Sequence, residues 1–109
     1  MKRPWMPLYV ADFLADTTPL NAAETGAYLL LIMHYWMHDG LPDNEDLIRR
    51  ISRMTVRQWS QSRDLLRSLF YDGWKHRRID RELTQAIEKS KVNSANAKRS
   101  HEGRRRSAP

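Results

Sequence analysis

Apolar residues are most concentrated between positions 22 and 37 of this chain. There they surround the predicted helix almost completely instead of forming one stripe, which is typical of a helix buried on most sides. Asn21 is a good N-cap, and Glu24 three residues later completes a capping-box pattern. Asp39 and Gly40 then end the stretch. The pattern predicts a central helix against which the rest of the domain packs.

Two shorter amphipathic stretches follow the predicted central helix. The first starts at Asp43 or Asn44 and runs to about Arg53. The second follows Thr55, an N-cap residue with a glutamine three positions later, which is another capping-box pattern. Because the spacer between them is short, the two stretches predict a helix–turn–helix pair. The helix after Thr55 is the third of the predicted core helices. Its inward face is predicted to contain Val56, Trp59, Leu66, Leu69 and Phe70.

A tight reversal is predicted after the third helix. Asp72 and Gly73 are the preferred pair for a two-residue type I′ hairpin turn. Residues 74–79 would form the returning strand, residues 4–9 an edge strand, and Asp80 the N-cap of a last helix. This order predicts a mainly α domain with a small β-hairpin. The expected fold is a winged helix-turn-helix, with a three-helix core, a basic two-stranded wing and a C-terminal helix.

The predicted domain covers residues 1–88. From Glu88 onward Val92 is the only large aliphatic residue and no aromatic residue occurs, so we expect residues 89–109 to be a basic, frayed or disordered tail. Aromatic side chains bury a large area each and are expected to supply most of the core. These residues are Trp5, Phe13, Tyr28, Trp36, Trp59, Phe70 and Trp74.

Positive charge is concentrated in the second half of the chain. The net charge of +6 is made up of −5 over residues 1–48, +7 over residues 49–81 and +4 over residues 82–109. A one-sided distribution of this kind favours a polyanionic partner, and we expect DNA. The alternative is an ordinary solvated surface.

Several other kinds of chemistry are disfavoured. The chain has no cysteine, which excludes disulfides, cysteine-ligated zinc and thiol nucleophiles. Asp12 and Asp16 are spaced i, i+4, as are His34 and His38, but Tyr35 stands where a zinc-protease helix needs glutamate. A bare histidine pair can still bind metal, although a packed or solvated pair is more common. We therefore expect no catalytic residue, no metal site and no cofactor.

The N-terminal segment does not have the pattern of a signal peptide, because it contains two prolines and an aspartate and lacks a long apolar run. The longest apolar run, residues 27–33, is far shorter than a membrane span. We expect a cytoplasmic protein with no membrane contact and no small-molecule substrate.

The predicted nucleic-acid site combines two kinds of residue. Arg57, Gln58 and Gln61 lie on the polar side of the third helix, where arginine can read guanine and glutamine can read adenine. Asp64 shares this side and would repel phosphate. Backbone binding is the stronger expectation, because the remaining candidates are cations that can contact phosphates. They are Arg49, Arg50 and Arg53 on the second helix, and Lys75, Arg77 and Arg78 on the wing.

An ordered set of short motifs resembles the YdaU-like family, a family of unknown function found in phages and bacterial prophages. The motifs occupy residues 4–9, 12–17, 26–31 with 34–36, 40–43, and 72–74 with 78–80, so the match covers about residues 4–90. The resemblance implies a phage replication-region protein, similar to the winged-helix N-terminal domains of phage replication initiators. It carries no catalytic residue. Because the chain ends soon after the match, we expect a partner-recruiting C-terminal region to be absent.

A second functional class is an alternative to DNA binding. The domain could instead be a protein-interaction module that recruits replication proteins or forms a homodimer, since a fold does not determine a function. The exposed parts of Tyr35, Trp36 and Met37, or of the last helix, would then form the contact patch. In either case the resemblance implies the cytoplasm of a bacterial or phage-infected cell.

Overall fold

The computed structural model describes residues 3–89. Five helices follow one another in this part of the chain. They are α1 (Val10–Asp16), α2 (Ala22–His38), α3 (Glu45–Ser52), α4 (Val56–Arg67) and α5 (residues 77–89, helical to the last described residue). None of these helices is both long and apolar enough to cross a membrane.

Helix α2 is the central element, as its pattern predicted. Its capping box is present, with the Asn21 side chain accepting from the Glu24 backbone N–H and the Glu24 carboxylate accepting from the Asn21 backbone N–H. Asp39 takes the left-handed conformation at its C-cap, with φ of 58°. Both α3 and α4 pack against α2. Seven of its residues are buried: Glu24, Ala27, Tyr28, Leu31, Ile32, Tyr35 and Trp36.

The predicted pair of short helices is also confirmed. Asn44 caps α3 by accepting from the backbone N–H groups of Asp46 and Leu47. Thr55 and Gln58 form the capping box of α4. Residues 53–55 join the two helices, and we call Met54 and Thr55 the α3–α4 turn. Helix α4 turns Trp59, Ser62 and Leu66 inwards.

The predicted wing is wrong. Residues 3–89 contain no β-strand, and the only pairing is one isolated antiparallel bridge between Tyr71 and Lys75, with N···O distances of 2.8 and 3.1 Å. The chain does reverse at Asp72 and Gly73, whose φ angles are 45° and 88°. However, the loop has three residues and leads into a helix. We call residues 70–80 the reversal segment. The described part of the fold is therefore all-helical and is not a winged helix.

The partly buried Trp74 and the buried His76 explain why no returning strand forms. The Trp74 ring stacks on Trp59 of α4 at 5.5 Å and meets Phe70 edge-on at 5.3 Å, which draws the chain inwards directly after the turn. His76 then caps α5 with its own side chain, since its Nδ1 accepts from the Ile79 backbone N–H at 3.3 Å. The cap of α5 thus lies four residues before the predicted cap at Asp80, and the second half of the expected strand, residues 77–79, is helix.

The N-terminal segment also departs from the expectation. Residues 4–9 form no strand, and Trp5 is 70% exposed instead of belonging to the core. Helix α1 has no fully buried residue, although Phe13 stacks on Tyr28 with ring centroids 5.8 Å apart. The predicted tail lies beyond the described residues from position 90 onward.

Candidate nucleic-acid interface

The three arginines predicted on α3 have different surroundings. Arg49 is nearly enclosed, because its guanidinium donates to the Asp46 carboxylate at 3.1 Å and to the Met54 carbonyl at 2.9 Å. It ties the end of α3 to the α3–α4 turn. Arg50 is two-thirds exposed and shares the same carboxylate at 3.2 Å. Exposed ion pairs of this kind are weak, so Arg50 can exchange Asp46 for a phosphate at little cost.

The two arginines that flank the α3–α4 turn have no carboxylate partner among the described residues. Arg53 is exposed and holds the left-handed C-cap of α3, with φ of 63°. Arg57 is exposed in the first turn of α4. Arg50 lies one turn before Arg53 on α3. These three residues, the turn arginines, form a short cationic run on the surface.

The two glutamines of α4 also differ. Gln61 is exposed and makes no hydrogen bond within the described residues, and it lies one turn after Arg57 on the same helix face. Gln58 is exposed too, but its amide oxygen already accepts from the Thr55 backbone N–H at 2.9 Å. Only its NH₂ group is left to contact a ligand.

The three cations predicted for the wing do not form one surface, because the wing is absent. Lys75 pairs with Asp72 across the reversal at 2.9 Å. Arg77 lies over the Tyr71 ring, 4.5 Å from its centroid. Arg78 points in another direction and pairs with Asp16 of α1 at 3.0 Å. Two of these three positive charges are therefore neutralised by carboxylates of the domain itself.

An acidic residue on α4 is partly compensated. Asp64 was expected to repel phosphate, but it accepts from Arg63 at 2.8 Å. The same guanidinium binds Glu45 at the start of α3, and this hydrogen bond lowers the pKa of the Glu45 carboxyl. Trp59 also donates to Glu45, at 3.2 Å. Arg63 thus joins α3 to α4 and pairs with two acids.

Two exposed arginines of the described residues were not among the predicted site residues. Arg67 at the end of α4 and Arg81 on α5 have no carboxylate partner in the described part of the chain. Arg67 borders a shallow depression that Asp64 and Asp72 also line, so its surroundings are mixed in sign. Arg81 lies one turn after Arg77 on α5. Their i, i+4 spacing was the signal that could have drawn attention to this second pair of cations.

Comparison with known proteins assigns the domain to a protein family. The family described as Protein of unknown function (DUF1376) matches residues 4–84. The chain belongs to this family. The DUF1376 match includes all of α1 to α4, the reversal segment and the first turns of α5.

A curated relative extends the comparison beyond the DUF1376 region. The Uncharacterized protein YdaU of Escherichia coli strain K12 is 41% identical over 105 residues, which are 94% of this chain and 36% of YdaU. This chain therefore spans about a third of the length of that relative. No solved structure matches the chain significantly.

The most enclosed polar cluster of this DUF1376 domain lies between α2 and α5. The His76 ring is 2.8 Å from the Tyr28 hydroxyl, and the Tyr35 hydroxyl accepts from the His76 backbone N–H and donates to Asp80 at 2.5 Å. Because His76 Nδ1 accepts from Ile79, the ring proton lies on Nε2 and is donated to Tyr28. Burial lowers the pKa of His76 to about 4 and raises that of Tyr28 to about 12. The His76 ring and the hydroxyl groups of Tyr28 and Tyr35 thus join the start of α5 to α2.

The paired carboxylates of α1 are separated by their partners. Asp16 is bound to Arg78, whereas Asp12 is exposed. Within residues 3–89, no group of three or more histidine and acidic side chains is placed to hold a metal ion.

Proposed function

We propose that this domain is a non-catalytic DNA-binding module that holds the phosphate backbone through the turn arginines. The observation that supports this most directly is the exposure of Arg53 and Arg57, on either side of the α3–α4 turn, without a carboxylate partner among residues 3–89. Free guanidinium groups at the protein surface are the preferred bidentate ligands of phosphate oxygens.

The surroundings of the turn arginines favour this function. Arg50 becomes available to a phosphate by exchanging its exposed contact with Asp46, and Gln61 lies one turn beyond Arg57 on α4. Arg63 reduces the repulsion that Glu45 and Asp64 would otherwise exert on a phosphate. Residues 82–109 add a net charge of +4, which would strengthen binding without sequence preference.

The biological setting follows from the resemblance to phage proteins. We place the domain in the replication region of a phage or prophage, acting in the bacterial cytoplasm where phage DNA is copied. The genes beside its own test this setting. Neighbours that encode a helicase loader or another replication protein would support it, whereas structural or lysis genes would contradict it.

A salt titration of duplex binding tests the DNA-binding function. The full chain is titrated onto a fluorescent DNA duplex by anisotropy at several salt concentrations. Replacing Arg53 and Arg57 together by alanine removes two phosphate contacts, so the slope of log K against log salt should become less steep by about 1.8. A flat slope for the unmodified protein would rule out backbone binding altogether.

Lys75→Ala is the matched control for the double variant. It also removes an exposed positive charge, but one that lies in the reversal segment and not beside the α3–α4 turn. We expect its slope to stay close to that of the unmodified protein. If Lys75→Ala changes the slope as much as the double variant does, only the overall charge matters and the assignment to the turn arginines is wrong.

A protein-interaction module is the second candidate, and one observation favours it. The N-terminal segment and α1 leave several large apolar side chains exposed: Trp5, Leu8, Tyr9, Val10 and Leu14. The patch expected from the sequence is different, because Tyr35 and Trp36 are buried. A protein partner that co-purifies through nuclease and high salt, and is lost on Leu14→Asp, would support this candidate over DNA binding.

A further inference from the structure

The second half of α2 carries two sulfur and two imidazole groups at its surface. Met33 and Met37 are spaced i, i+4, and so are His34 and His38. Met33 is 42% exposed and Met37 is 36% exposed, although Leu31, Ile32 and Trp36 on the same helix are buried. His38 is exposed and His34 is half-buried. The core does not require any of these four side chains.

Helical geometry brings three of the four side chains together. The two histidine rings are already in contact, with centroids 4.2 Å apart. At 3.6 residues per turn, Met37 lies about 60° around the helix from His34, on the side away from His38. His34 is therefore the neighbour of both Met37 (i+3) and His38 (i+4). Met33 lies farther round the helix, about 100° from His34.

The position of the two imidazoles on α2 favours a bound cation. The groups lie in the last two turns of α2, where the helix dipole favours a cation. The other described histidine, His76, is buried and uses both ring nitrogens, so it does not compete.

The ligand set selects the metal. Thioether sulfur is a soft ligand that prefers copper(I), whereas imidazole binds copper, zinc and nickel alike. A pair of histidines alone would not discriminate between these ions. Because the chain contains no cysteine, thiolate cannot account for any copper that it binds.

We propose that His34, His38 and Met37 form a surface site on α2 for one copper(I) ion. This site is independent of the turn arginines and of the proposed DNA-binding function. The fit depends on the third ligand, since the methionine distinguishes a copper(I) site from a simple histidine pair.

Competition with a chromogenic copper(I) chelator under anaerobic conditions tests the site on the full chain. We expect one copper(I) per chain, and a loss of affinity of about tenfold or more when His34 and His38 are both replaced by alanine. Met37→Leu keeps the volume but removes the sulfur, and should weaken binding several-fold. Met33→Leu makes the same change one turn away and should leave binding unchanged. His101→Ala controls for the remaining histidine.

Three results would overturn the proposal. The first is the absence of stoichiometric copper(I) binding. The second is unchanged affinity in the double histidine variant. The third is binding that the histidine variants abolish but Met37→Leu does not affect, with zinc bound as tightly as copper(I), since this would leave only a histidine pair. Circular dichroism of each variant checks that α2 is intact, and the altered side chains of α2 lie at least partly at the surface.

Discussion

The α3–α4 turn and the reversal segment are both short, basic connections, but their charged residues differ in whether they have partners within the domain. At the α3–α4 turn, Arg53 and Arg57 are exposed and free of carboxylates within the described residues. In the reversal segment, Lys75 and Arg78 are paired with acids and His76 is buried as a helix cap. Equal numbers of cations in the sequence therefore do not mean equal availability to a ligand.

The physical cause of the difference is what each connection packs against. The reversal segment lies over the aromatic core, where Trp74 contacts Trp59 and Phe70. Its polar groups must then be satisfied internally, because an unpaired polar group in the interior is costly. The α3–α4 turn buries Met54, whose backbone N–H donates to the buried Ser52 of α3, and Arg53 and Arg57 beside it lie in water. We expect substitutions in the reversal segment to change stability, and those at the turn to change binding.

The largest expected effect is that of Trp74→Ala. It removes a ring that packs on two aromatic side chains, so the free energy of unfolding should fall by about 3 kcal/mol, at the low end of the range for core aromatic residues. Urea denaturation followed by circular dichroism measures the change. Trp5→Ala is the matched control, because that side chain is 70% exposed and its loss should cost well under about 1 kcal/mol. Equal losses in the two variants would contradict a structural role for the reversal segment.

The next effect is on the free energy of unfolding, which should depend on pH because His76 is protonated more easily in the unfolded chain than in the folded protein. Burial depresses the pKa of His76 in the folded protein to about 4, below the value of about 6.5 in the unfolded chain. The unfolded chain therefore binds more protons between these two values, and stability falls as the pH is lowered from about 6.5 to about 4. The loss is on the order of 3 kcal/mol.

The variant His76→Gln separates the effect of His76 titration on stability from that of the carboxylates. His76→Gln does not titrate in this range, so its stability should decline less steeply between pH 6.5 and 4 than that of the unmodified protein. Urea midpoints measured at half-unit steps of pH supply the comparison. Parallel curves for the two proteins would show that His76 is not kept neutral by the fold.

A smaller effect is expected for the ion pair between Arg78 and Asp16. Both side chains are about one-third exposed, so solvent screens the pair and its coupling should be about 0.5 to 1 kcal/mol. A double-mutant cycle with Arg78→Ala and Asp16→Ala measures this coupling energy. Zero coupling would mean that Arg78 is as available to a ligand as Arg53, and the contrast between the two connections would weaken.

The smallest expected effect is that of Arg53→Gly, which should change stability and DNA binding in opposite directions. Arg53 has a left-handed φ of 63°, which glycine adopts without strain, but glycine also loosens the unfolded chain. Arg53→Gly should therefore stabilise the domain by about 0.5 kcal/mol while weakening DNA binding. Thermal unfolding and DNA anisotropy on the same sample give the two readouts.

The control for Arg53→Gly removes a neighbouring charge from a regular helical position. Arg50→Gly should destabilise the domain by about 1 kcal/mol, because glycine is unfavourable within a helix. Both variants lose one cation at the α3–α4 turn. If Arg53→Gly raises stability but leaves DNA affinity unchanged, the cation of Arg53 does not contact phosphate.

Local signals in the sequence predicted the helices but not the connection that decides the fold class. The capping boxes of α2 and α4 depend on residues three positions apart, so the pattern contained all the information needed. The Asp72-Gly73 signal was also correct in part, since both residues adopt positive φ. The predicted hairpin does not form, because the contacts of Trp74 with α4 and of His76 with α2 outweigh the weak preference of the intervening residues for a strand.

The sequence alone determined where four helices lie, where the chain reverses and how unevenly its charge is distributed. Only the tertiary structure decided which of those charges remain free. Asp16 is 62 residues from Arg78 along the chain, and Tyr28 is 48 residues from His76, so no local pattern could reveal either contact. Charge and helix propensity are properties of neighbouring residues, whereas burial and pairing depend on groups that meet only when the chain has folded.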